Sequence, residues 1–359
     1  ALIGLAIRRL GGRPVWLVGG MVMLFAVGSS TVGMAEEYVP FVPLLVAMCL
    51  ALKADAVVAL GIVYVGAGVG YACAALNPFT VLIGQSIAGV ELTSGQSVRW
   101  LLLAICLAIG THHILRYLRR VQADPSCSLV TDVSYAEGFE LPDDLRLTPV
   151  RMSVITVFGT GIGLFVYGVG AREWYLTELT AVFLGIALVA AAVARLSPNR
   201  VAREFYVGAA ELTTTAIIVG FARTIQVVLT QGQVIDTVIN GLAAPLQSWP
   251  GHVAAVGMLA VQTVFNLFIP SGSGQAYITM PIMAPIADLT GLTRQTAVLA
   301  YQFGDGFTNM VVPTNPVLMG MLALARIPYQ RWLRFVVPLL VKLYLVAILA
   351  LMLAVQWGY

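Results

Sequence analysis

Three acidic side chains lie in stretches of the chain that are otherwise apolar. Glu36 and Glu37 follow a short segment of small polar residues, and Asp305 lies between two glycines in a second apolar run. An aspartate at the centre of a bilayer costs about 2.5–3.5 kcal/mol on insertion scales, so such a residue usually has a ligand or a partner. The three acids are predicted either to contact a cationic substrate or coupling ion, or to accept backbone N–H groups at a helix break. An interfacial position is a third alternative, above all for Glu37.

The composition indicates that these acids belong to a membrane protein. Of 359 residues, 59% are hydrophobic and only 10% are charged, whereas soluble domains carry about 25% charged residues. This excludes a soluble enzyme, a nucleic-acid-binding protein and a secreted disulfide scaffold. An all-α polytopic membrane protein is predicted, because helices satisfy their own backbone groups in lipid. With roughly 20 apolar residues needed per span, full spans are predicted at 97–118, 152–170, 174–194, 207–230 and 335–357.

Two further apolar regions, 14–90 and 250–325, are broken by Gly, Pro, Ser, Thr and Asn. Most arginine and lysine residues lie on one side, the expected cytoplasmic side, only if 14–53 and 250–293 each leave the membrane on the side from which they entered. Both are therefore predicted to be re-entrant helical hairpins that open to opposite faces. Each is followed by a helix interrupted at an Asn-Pro pair, Asn77-Pro78 in the first half and Asn315-Pro316 in the second. An odd number of spans between them predicts an inverted repeat, as in many secondary transporters.

The predicted domain organisation follows this repeat. Residues 1–95 form transport-domain repeat 1, with hairpin 1 and its interrupted helix, and residues 207–325 form repeat 2, with hairpin 2 and its interrupted helix. Residues 96–206 contain scaffold-type spans and a polar cytoplasmic loop at 120–149, and residues 326–359 form a C-terminal span.

The hairpin tips and helix breaks carry groups suited to ligands. Backbone that leaves helical geometry within the membrane needs protein, water or a ligand as partner, since each unpaired group costs several kcal/mol. The tip Pro270-Ser271-Gly272-Ser273-Gly274 offers hydroxyls and free amides at a helix N-terminus, which suit a carboxylate. The Asn-Pro breaks free carbonyl groups that can bind Na⁺. Tight glycine packing between helices is the alternative interpretation for any one of these motifs.

Membrane-embedded enzymes are the main competing class. A rhomboid-type protease needs Gly-x-Ser-Gly and a histidine base, but Ser271 stands at the first glycine position, and the histidines, His112, His113 and His252, lie near the ends of spans or hairpin arms. An intramembrane aspartyl protease needs Gly-x-Gly-Asp and a second aspartate, whereas Asp305 lies within Gly-Asp-Gly. The sequence therefore predicts a protein that is not an enzyme. A passive channel is the other class that stays open, and the protease is less favoured.

Longer motifs resemble a known family. The segments 33–45 (GMAEEYVPFVPLL), 77–89 (NPFTVLIGQSIAG) and 271–320 (SGSGQAYITMPIMAPIADLTGLTRQTAVLAYQFGDGFTNMVVPTNPVLMG) are similar to those of the YfcC/DcuC-like carriers, which include basic amino acid antiporters and anaerobic C4-dicarboxylate carriers. The resemblance covers essentially the whole chain. It implies the architecture of the ion transporter superfamily, in which a transport domain with two hairpins moves like an elevator against a scaffold domain that usually dimerises. Family members have further helices before the first hairpin, and the chain begins at Ala1 rather than Met, so an N-terminal piece is expected to be missing.

The binding residues implied by the resemblance lie at the same tips and breaks. The predicted substrate-binding residues are Ser29, Ser30, Thr31, Gly33, Glu36, Glu37, Asn77, Thr80, Ser271, Gly272, Ser273, Gly274, Gln275, Asp305, Thr308, Asn309, Thr314 and Asn315. The predicted ion-coupling residues, with Na⁺ at the helix breaks, are Asn77, Pro78, Asp305, Asn315 and Pro316.

The predicted function is secondary active transport, by ion coupling or exchange, of a small amino acid across the bacterial inner membrane by elevator-type alternating access. Three acids near the breaks are expected to be buried, against one buried arginine (Arg223), which favours a basic substrate such as arginine or ornithine. A C4-dicarboxylate is the alternative, because helix N-termini hold carboxylates without arginine. No cofactor is expected beyond Na⁺ or H⁺ as the coupling ion. The expected partners are the small-molecule substrate, the lipid bilayer and a second copy in a homodimer, with no nucleic acid.

Overall fold

The computed structural model of the chain describes residues 14–133, 148–172, 174, 176–234, 237, 241 and 244–359. These residues form helices joined by turns, with no β-strand among them, which confirms the all-α prediction. Contacts within the chain divide the described residues into two compact units, a smaller one at 148–214 and a larger one at 14–133 together with 215–359. The division into hairpin repeats and scaffold spans stays a prediction.

The first half of the larger unit contains five helices among its described residues. They are α1 (Pro14–Thr31), α2 (Val42–Ala51), α3 (Ala56–Ala72), α4 (Val81–Ala88) and α5 (Gln96–Ala123). A 3-10 turn, Glu36–Phe41, lies directly before α2, and α3 includes one π-helical stretch at Gly61–Val65. Of the predicted first tip, Ser29, Ser30 and Thr31 are therefore the last residues of α1 and Gly33 follows the helix, whereas the first break lies between α3 and α4.

Local sequence explains where these helices begin and end and how closely two of them pack. Asp55 begins α3 by accepting a hydrogen bond from the Val58 N–H, and Gly89, in the left-handed conformation, ends α4. α1 lies close against α3 because Gly70 has no side chain. A methyl group at Gly70 would lie 2.4 Å from the carbonyl oxygen of Ala26.

The smaller unit contains α6 (Pro149–Arg172) and α7 (Leu176–Val193), which pack against each other, and the first part of α8 (Pro198–Gln231). Helices therefore occupy the predicted spans at 152–170 and 207–230 and most of the one at 174–194, and α8 begins well before its predicted start. The side chain of Arg223, which entered the prediction of substrate charge, lies outside the described residues.

The second half of the larger unit also contains helices in close succession. They are α9 (Gly251–Phe268), α10 (Gly272–Leu289), α11 (Arg294–Thr308), α12 (Pro316–Leu324) and α13 (Tyr329–Trp357). α9 and α10 run antiparallel, because Gln262 hydrogen-bonds with Thr279 and Asn266 with Gln275 across the pair. Residues 269–271 alone join the two helices.

α11 is the central helix of this half, and every residue after its first is buried. Two glycines let its neighbours approach. A methyl group at Gly304 would lie 2.4 Å from Gln262 Cβ in α9, and one at Gly306 would lie 2.3 Å from the backbone nitrogen of Ala72 in α3. The sequence Gly-Asp-Gly thus places Asp305 at the level where α11 is pressed against both α3 and α9.

Three helices of the described residues, α5, α9 and α13, are long and apolar enough to cross a membrane. One face of α13 exposes Val337, Val341, Leu345 and Leu349 at a spacing of four residues, as expected of a helix that faces lipid. α9 has the length of a full span although it was predicted as one arm of a hairpin, so the re-entrant geometry stays a prediction.

Candidate functional site

Asp305 lies in the interior of the larger unit, with none of its surface exposed. Its Oδ1 atom accepts two hydrogen bonds, one from the side-chain amide of Asn266 at 2.9 Å and one from that of Asn309 at 3.0 Å. Asn266 belongs to α9 and Asn309 follows α11, so the carboxylate joins two elements. Both donors are neutral amides, and among the described residues no basic side chain acts on this carboxylate. A buried carboxylate in such surroundings favours binding of a cation or a proton.

The amides around Asp305 belong to a chain of side-chain hydrogen bonds that crosses from α9 to α10. Asn266 also donates to Gln275 Oε1 at 3.1 Å, and Gln275 donates to Gln262 Oε1 at 2.7 Å. Gln262 donates in turn to the Thr279 hydroxyl at 3.0 Å. All of these side chains are buried. Because buried polar groups that satisfy one another stabilise one arrangement, the chain holds the two helices in register.

The second Asn-Pro break is connected to the same chain of hydrogen bonds. The side-chain amide of Asn315 donates to Asn309 Oδ1 at 2.8 Å, and Asn309 donates to Asp305. Asn315 Oδ1 accepts from the backbone N–H groups of Val317 at 2.9 Å and Leu318 at 3.1 Å, and so begins α12. The break therefore combines a helix cap with a link to the buried acid.

The turn between α9 and α10 covers the other oxygen of Asp305. A methyl group at Gly272 would lie 3.2 Å from Asp305 Oδ2 and 2.4 Å from Thr80 Cγ2. The Tyr301 hydroxyl donates to the Gly272 carbonyl at 2.6 Å, which holds the turn against α11. Thr80, Gly272 and Asp305, which come from three separate sequence motifs, are thus neighbours.

The first Asn-Pro break is capped in the same way as the second. Asn77 Oδ1 accepts from the Phe79 N–H at 2.8 Å, the bond that Asn315 also makes to the residue two positions on. The Asn77 amide donates to the Ser29 carbonyl at 2.9 Å, and Ser30 Oγ accepts a backbone N–H from the break at 3.0 Å. The first tip and the first break are therefore held together by Ser29, Ser30 and Asn77.

A tyrosine anchors each of the two turns through a glycine carbonyl. The Tyr71 hydroxyl donates to the Gly33 carbonyl at 2.6 Å, as Tyr301 does to that of Gly272. Gly33 has φ of +83°, and a methyl group there would lie 2.8 Å from Asn77 Oδ1, so glycine is required at this position. Each half of the larger unit thus has an asparagine that caps the helix after its break and a tyrosine that donates to a glycine carbonyl in its turn.

Of the three predicted acids, only Asp305 is buried. The Glu37 carboxylate accepts the N–H of Ala35 at 2.7 Å, and Glu36 is exposed. The expectation of three buried acids is therefore wrong for this pair, because both lie at the start of the 3-10 turn, where free N–H groups attract a carboxylate. For Glu37, the structural role that was one of the predicted alternatives is the one observed.

Two tyrosines of α3 lie within reach of both ends of the site. Glu36 and Asp305 each act electrostatically on Tyr64 and on Tyr71. The Tyr64 hydroxyl also donates to the Asn309 carbonyl at 3.2 Å. The exposed acid of the first half and the buried acid of the second therefore face the same helix.

Two of the other predicted residues bond away from Asp305. The Thr31 hydroxyl donates to the Val27 carbonyl within α1 at 2.7 Å. The Thr308 hydroxyl hydrogen-bonds with that of Tyr344 in α13 at 2.6 Å. Both threonines serve helix contacts in this structure.

The remaining predicted residues lie at the starts of helices. Ser271 begins α10 by accepting the Gly274 N–H at 3.4 Å, and the Thr314 hydroxyl donates to the Leu267 carbonyl at 2.8 Å, which ties the second break to α9. The other residues beside these caps are Pro78, Ser273 and Pro316.

Two polar residues that carry the hydrogen-bond chain were not predicted. Gln262 and Asn266 lie in the otherwise apolar α9 and are fully buried. They are four residues apart and therefore share one face of the helix. That spacing is the sequence signal that could have identified them.

Arg99 is a further buried residue that was not among the predicted site residues. Only 1% of its surface is exposed. Its Nε donates to the Tyr359 hydroxyl at 3.0 Å and its Nη1 to the Ala74 carbonyl, in the first break, at 3.5 Å. Its Nη2 has no partner. A guanidinium group is thus buried beside the first break, and the count of buried charges that was used to predict substrate charge did not include it.

The family model of the C4-dicarboxylate anaerobic carriers (DcuC) matches residues 1–356. The chain belongs to this carrier family. It is 32% identical over 360 residues to an uncharacterized protein of Haemophilus influenzae, a match that covers 98% of the chain and 70% of the relative. It is 31% identical over 369 residues to the Escherichia coli protein named "Putative basic amino acid antiporter YfcC", with 98% of the chain and 72% of that protein covered.

The fold of this carrier is similar to that of a solved transporter. The crystal structure of the Alcanivorax borkumensis YdaH transporter matches with a TM-score of 0.53 and 16% identity, covering 96% of the carrier and 78% of YdaH. Identity this low is informative for the fold alone. The family and the fold confirm the predicted resemblance and the prediction of a membrane transporter.

Proposed function

We propose that this carrier is a secondary active transporter of a small basic amino acid, such as arginine or ornithine, in a bacterial inner membrane. The observation that carries the proposal is the buried Asp305 carboxylate, which lies beside the α9–α10 turn and Thr80 and has no basic partner among the side chains that the structure describes. A cationic substrate would supply the charge that this group needs. The name of the relative YfcC, which describes a basic amino acid antiporter, supports the same class of substrate.

The carboxylate of an amino acid substrate would bind at helix N-termini. α10 begins at Ser271, next to Asp305, and the N–H groups of its first turn carry partial positive charge. α12 begins at Asn315, which Asn309 connects to Asp305. The substrate carboxylate would lie near these N-termini, and a positively charged group of the substrate would lie at Asp305. This arrangement would use both charges of an amino acid.

Alternating access would come from movements of the two turns. We propose that 14–53 and 250–293 are re-entrant hairpins, the first gating the cytoplasm and the second the outside, in an elevator-type carrier that works as a homodimer. Tyr71 and Tyr301 each donate one of the hydrogen bonds that hold these turns, worth about 1 kcal/mol net. Breaking that bond would be one step in the opening of each turn on substrate release.

Ion coupling or exchange would supply the driving force, with Na⁺ or H⁺ as the coupling ion. The helix breaks are the proposed ion contacts, where Asn77 precedes Pro78 and Asn315 precedes Pro316. Each asparagine side-chain oxygen accepts a backbone N–H from its helix. An amide oxygen has two lone pairs, so an additional contact to an ion is compatible with each cap.

A C4-dicarboxylate is the second candidate substrate. The buried Arg99, whose Nη2 has no partner and which bonds the Ala74 carbonyl at the first break, is the observation that favours it. A guanidinium group suits a carboxylate ligand. The name of the family describes the same class of substrate.

Uptake into proteoliposomes tests the basic amino acid proposal. Wild type, Asp305→Asn and the exposed control Asp124→Asn are compared with radiolabelled arginine, ornithine, lysine, succinate and fumarate. We expect saturable uptake of a basic amino acid by wild type and the control, and near-complete loss in Asp305→Asn with an unchanged elution profile.

Other outcomes would contradict the proposal in distinguishable ways. Wild-type arginine uptake by Asp305→Asn would remove this residue from the site. Saturable uptake of succinate or fumarate alone, lost in Arg99→Gln, would establish the dicarboxylate instead. A current that does not saturate with substrate would indicate a channel, and cleavage of a peptide in detergent would indicate a protease.

A further inference from the structure

Two oxygen atoms at the centre of the site have no hydrogen-bond partner in the part of the chain that the structure describes. They are Asp305 Oδ2 and Asn266 Oδ1, both buried, and they belong to two side chains that already bond to each other through Asp305 Oδ1. A buried acceptor without a partner costs about 1–3 kcal/mol, and more when it is charged. Two such acceptors on directly bonded side chains indicate a ligand that is positively charged or donates a proton.

No described neighbour of Asp305 supplies the missing positive charge. The titratable groups that the elements packed against it contribute are four tyrosines: Tyr64 and Tyr71 from α3, Tyr301 from α11 and Tyr344 from α13. Glu36 also acts electrostatically on Tyr64 and Tyr71. α9 and α10 contribute amides and hydroxyls, and no Arg, Lys or His of the described residues acts on the carboxylate. Tyrosine hydroxyls are neutral over the ordinary pH range.

The number of free oxygens favours a proton over a metal ion. Hard metal cations such as Ca²⁺ take about 6–8 oxygen ligands, whereas Asp305 Oδ2 and Asn266 Oδ1 are the buried side-chain oxygens without a partner among the described residues. A metal ion here would therefore have to share most of its ligands with existing hydrogen bonds. A proton needs one oxygen. Bound to Oδ2, it neutralises the carboxylate, removes the cost of burying a charge and provides an O–H donor.

We propose that Asp305 binds the coupling proton on Oδ2 beneath the α9–α10 turn and that a cationic substrate displaces it. In the binding step, hydronium transfers a proton to the carboxylate, so that an Oδ2–H bond forms and water is released. When the substrate binds, the Oδ2–H bond breaks and water accepts the proton. One carboxylate thus serves two cations in turn, which exchanges a proton for a substrate. The displacement step rests on the proposed function, whereas proton binding does not.

The position of Gly272 connects this exchange to movement of the turn. Its backbone lies so close to Asp305 Oδ2 that a methyl group added at Gly272 would be 3.2 Å from this oxygen. The Tyr301 hydroxyl, which donates to the Gly272 carbonyl, holds the backbone in this position. Neither water nor substrate can reach Oδ2 until the turn moves. Proton release and substrate entry therefore need the same opening.

Infrared difference spectroscopy of the purified full chain in detergent tests proton binding, with protons as the only probe. Spectra between acidic and alkaline pH should contain the C=O stretch of a protonated carboxyl group that Asp305→Asn removes and the exposed control Asp124→Asn retains. Asn309→Ala keeps the carboxyl group but removes one donor to Oδ1, so it should shift the frequency of the same band. If Asp305→Asn does not fold, the shift in Asn309→Ala tests whether the band belongs to Asp305. A band that neither variant changes would overturn the proposal.

Sodium is the competing ligand, and thermal denaturation distinguishes it. Melting temperatures are measured in NaCl and in choline chloride at equal ionic strength, since a ligand that binds the folded state raises the melting temperature. We expect the two salts to give the same value. A Na⁺-specific rise that needs Asp305 would overturn the proton assignment, whatever the spectra show. Neither measurement contains a substrate, so failure of amino acid uptake and failure of proton binding are separate results.

Discussion

The side-chain amide of Asn315 lies 2.8 Å from Asn309 Oδ1, and through Asn309 it is connected to the buried carboxylate of Asp305. The same Asn315 begins α12 by accepting the Val317 N–H. One residue therefore caps a helix and positions a partner of the acid. A movement of α12 reaches Asp305 through two hydrogen bonds, which gives the second break a route to the site.

Two substitutions at Asn315 separate its two roles. Asn315→Asp keeps an oxygen for the N–H groups of α12 but loses the donor to Asn309, whereas Asn315→Ala loses both. Loss of an N-cap costs about 0.5–2 kcal/mol, so we expect Asn315→Ala to lower the melting temperature more than Asn315→Asp. Both variants should weaken the ion dependence of uptake, because both release Asn309. Equal melting temperatures would contradict the cap, and unchanged responses to Na⁺ and pH would contradict the ion assignment.

The close packing of α11 on α3 predicts a cost for a methyl group at Gly306. Gly306→Ala places Cβ 2.3 Å from the backbone nitrogen of Ala72, and overpacking of this kind costs about 1–3 kcal/mol. Gly20→Ala in α1 is the matched control, because its methyl group meets nothing within 4 Å and alanine is the better helix former by roughly 1 kcal/mol. Thermal denaturation should show a lower melting temperature for Gly306→Ala and an equal or higher one for Gly20→Ala. A Gly306→Ala variant with the melting temperature of wild type would be incompatible with this packing.

The two tyrosine anchors predict separate control of the two turns. Tyr301→Phe removes the hydrogen bond to Gly272, worth about 0.5–1.5 kcal/mol, which should raise the open fraction of the α9–α10 turn about two- to tenfold. Labelling of Ser273→Cys by a membrane-impermeant maleimide measures that fraction. Tyr71→Phe is the control, since its hydroxyl holds Gly33 in the other turn. An equal increase in labelling from both variants would argue against independent anchors.

A pair outside the spans predicts a pH-dependent contribution to stability. Arg331 donates to the Asp132 carboxylate and to the Leu129 carbonyl, and its hydrogen bonds hold the pKa of Asp132 below its ordinary value. A carboxyl group with a lowered folded-state pKa stabilises the protein fully above its usual pKa of about 3.9 and loses this effect as pH falls through the lower folded-state value. The difference in melting temperature between wild type and Asp132→Asn should therefore be constant near neutral pH and vanish in acid. A difference that persists unchanged in acid would exclude this pair as its cause.

The positions of most helices could be predicted because they depend on local chain properties. The predicted spans at 97–118 and 335–357 lie within α5 and α13, since an apolar run of sufficient length forms a helix in lipid. α13 nevertheless begins at Tyr329, because Arg331 and Arg334 extend the helix beyond the apolar run that the prediction used. Charged residues at the end of a span can be part of the helix, but they lie outside the hydrocarbon region of the membrane.

The choice among the three acids could not be predicted from local sequence. Glu36, Glu37 and Asp305 all lie in apolar stretches that contain small residues. Asp305 is buried because Gly304 and Gly306 let α9 and α3 close over it, whereas the two glutamates lie at the start of an accessible turn. The difference arises from neighbouring helices.

By itself, the sequence determined the membrane class, the helices, the Asn-Pro breaks and the carrier family, because composition, run length and proline chemistry act along the chain. Only the tertiary structure decided that Asn266, 39 residues away, meets Asp305, and that Arg99 is buried beside the first break. A helix turns about 100° per residue, so the face that a side chain occupies depends on how neighbouring helices pack, and hydropathy alone does not contain that information.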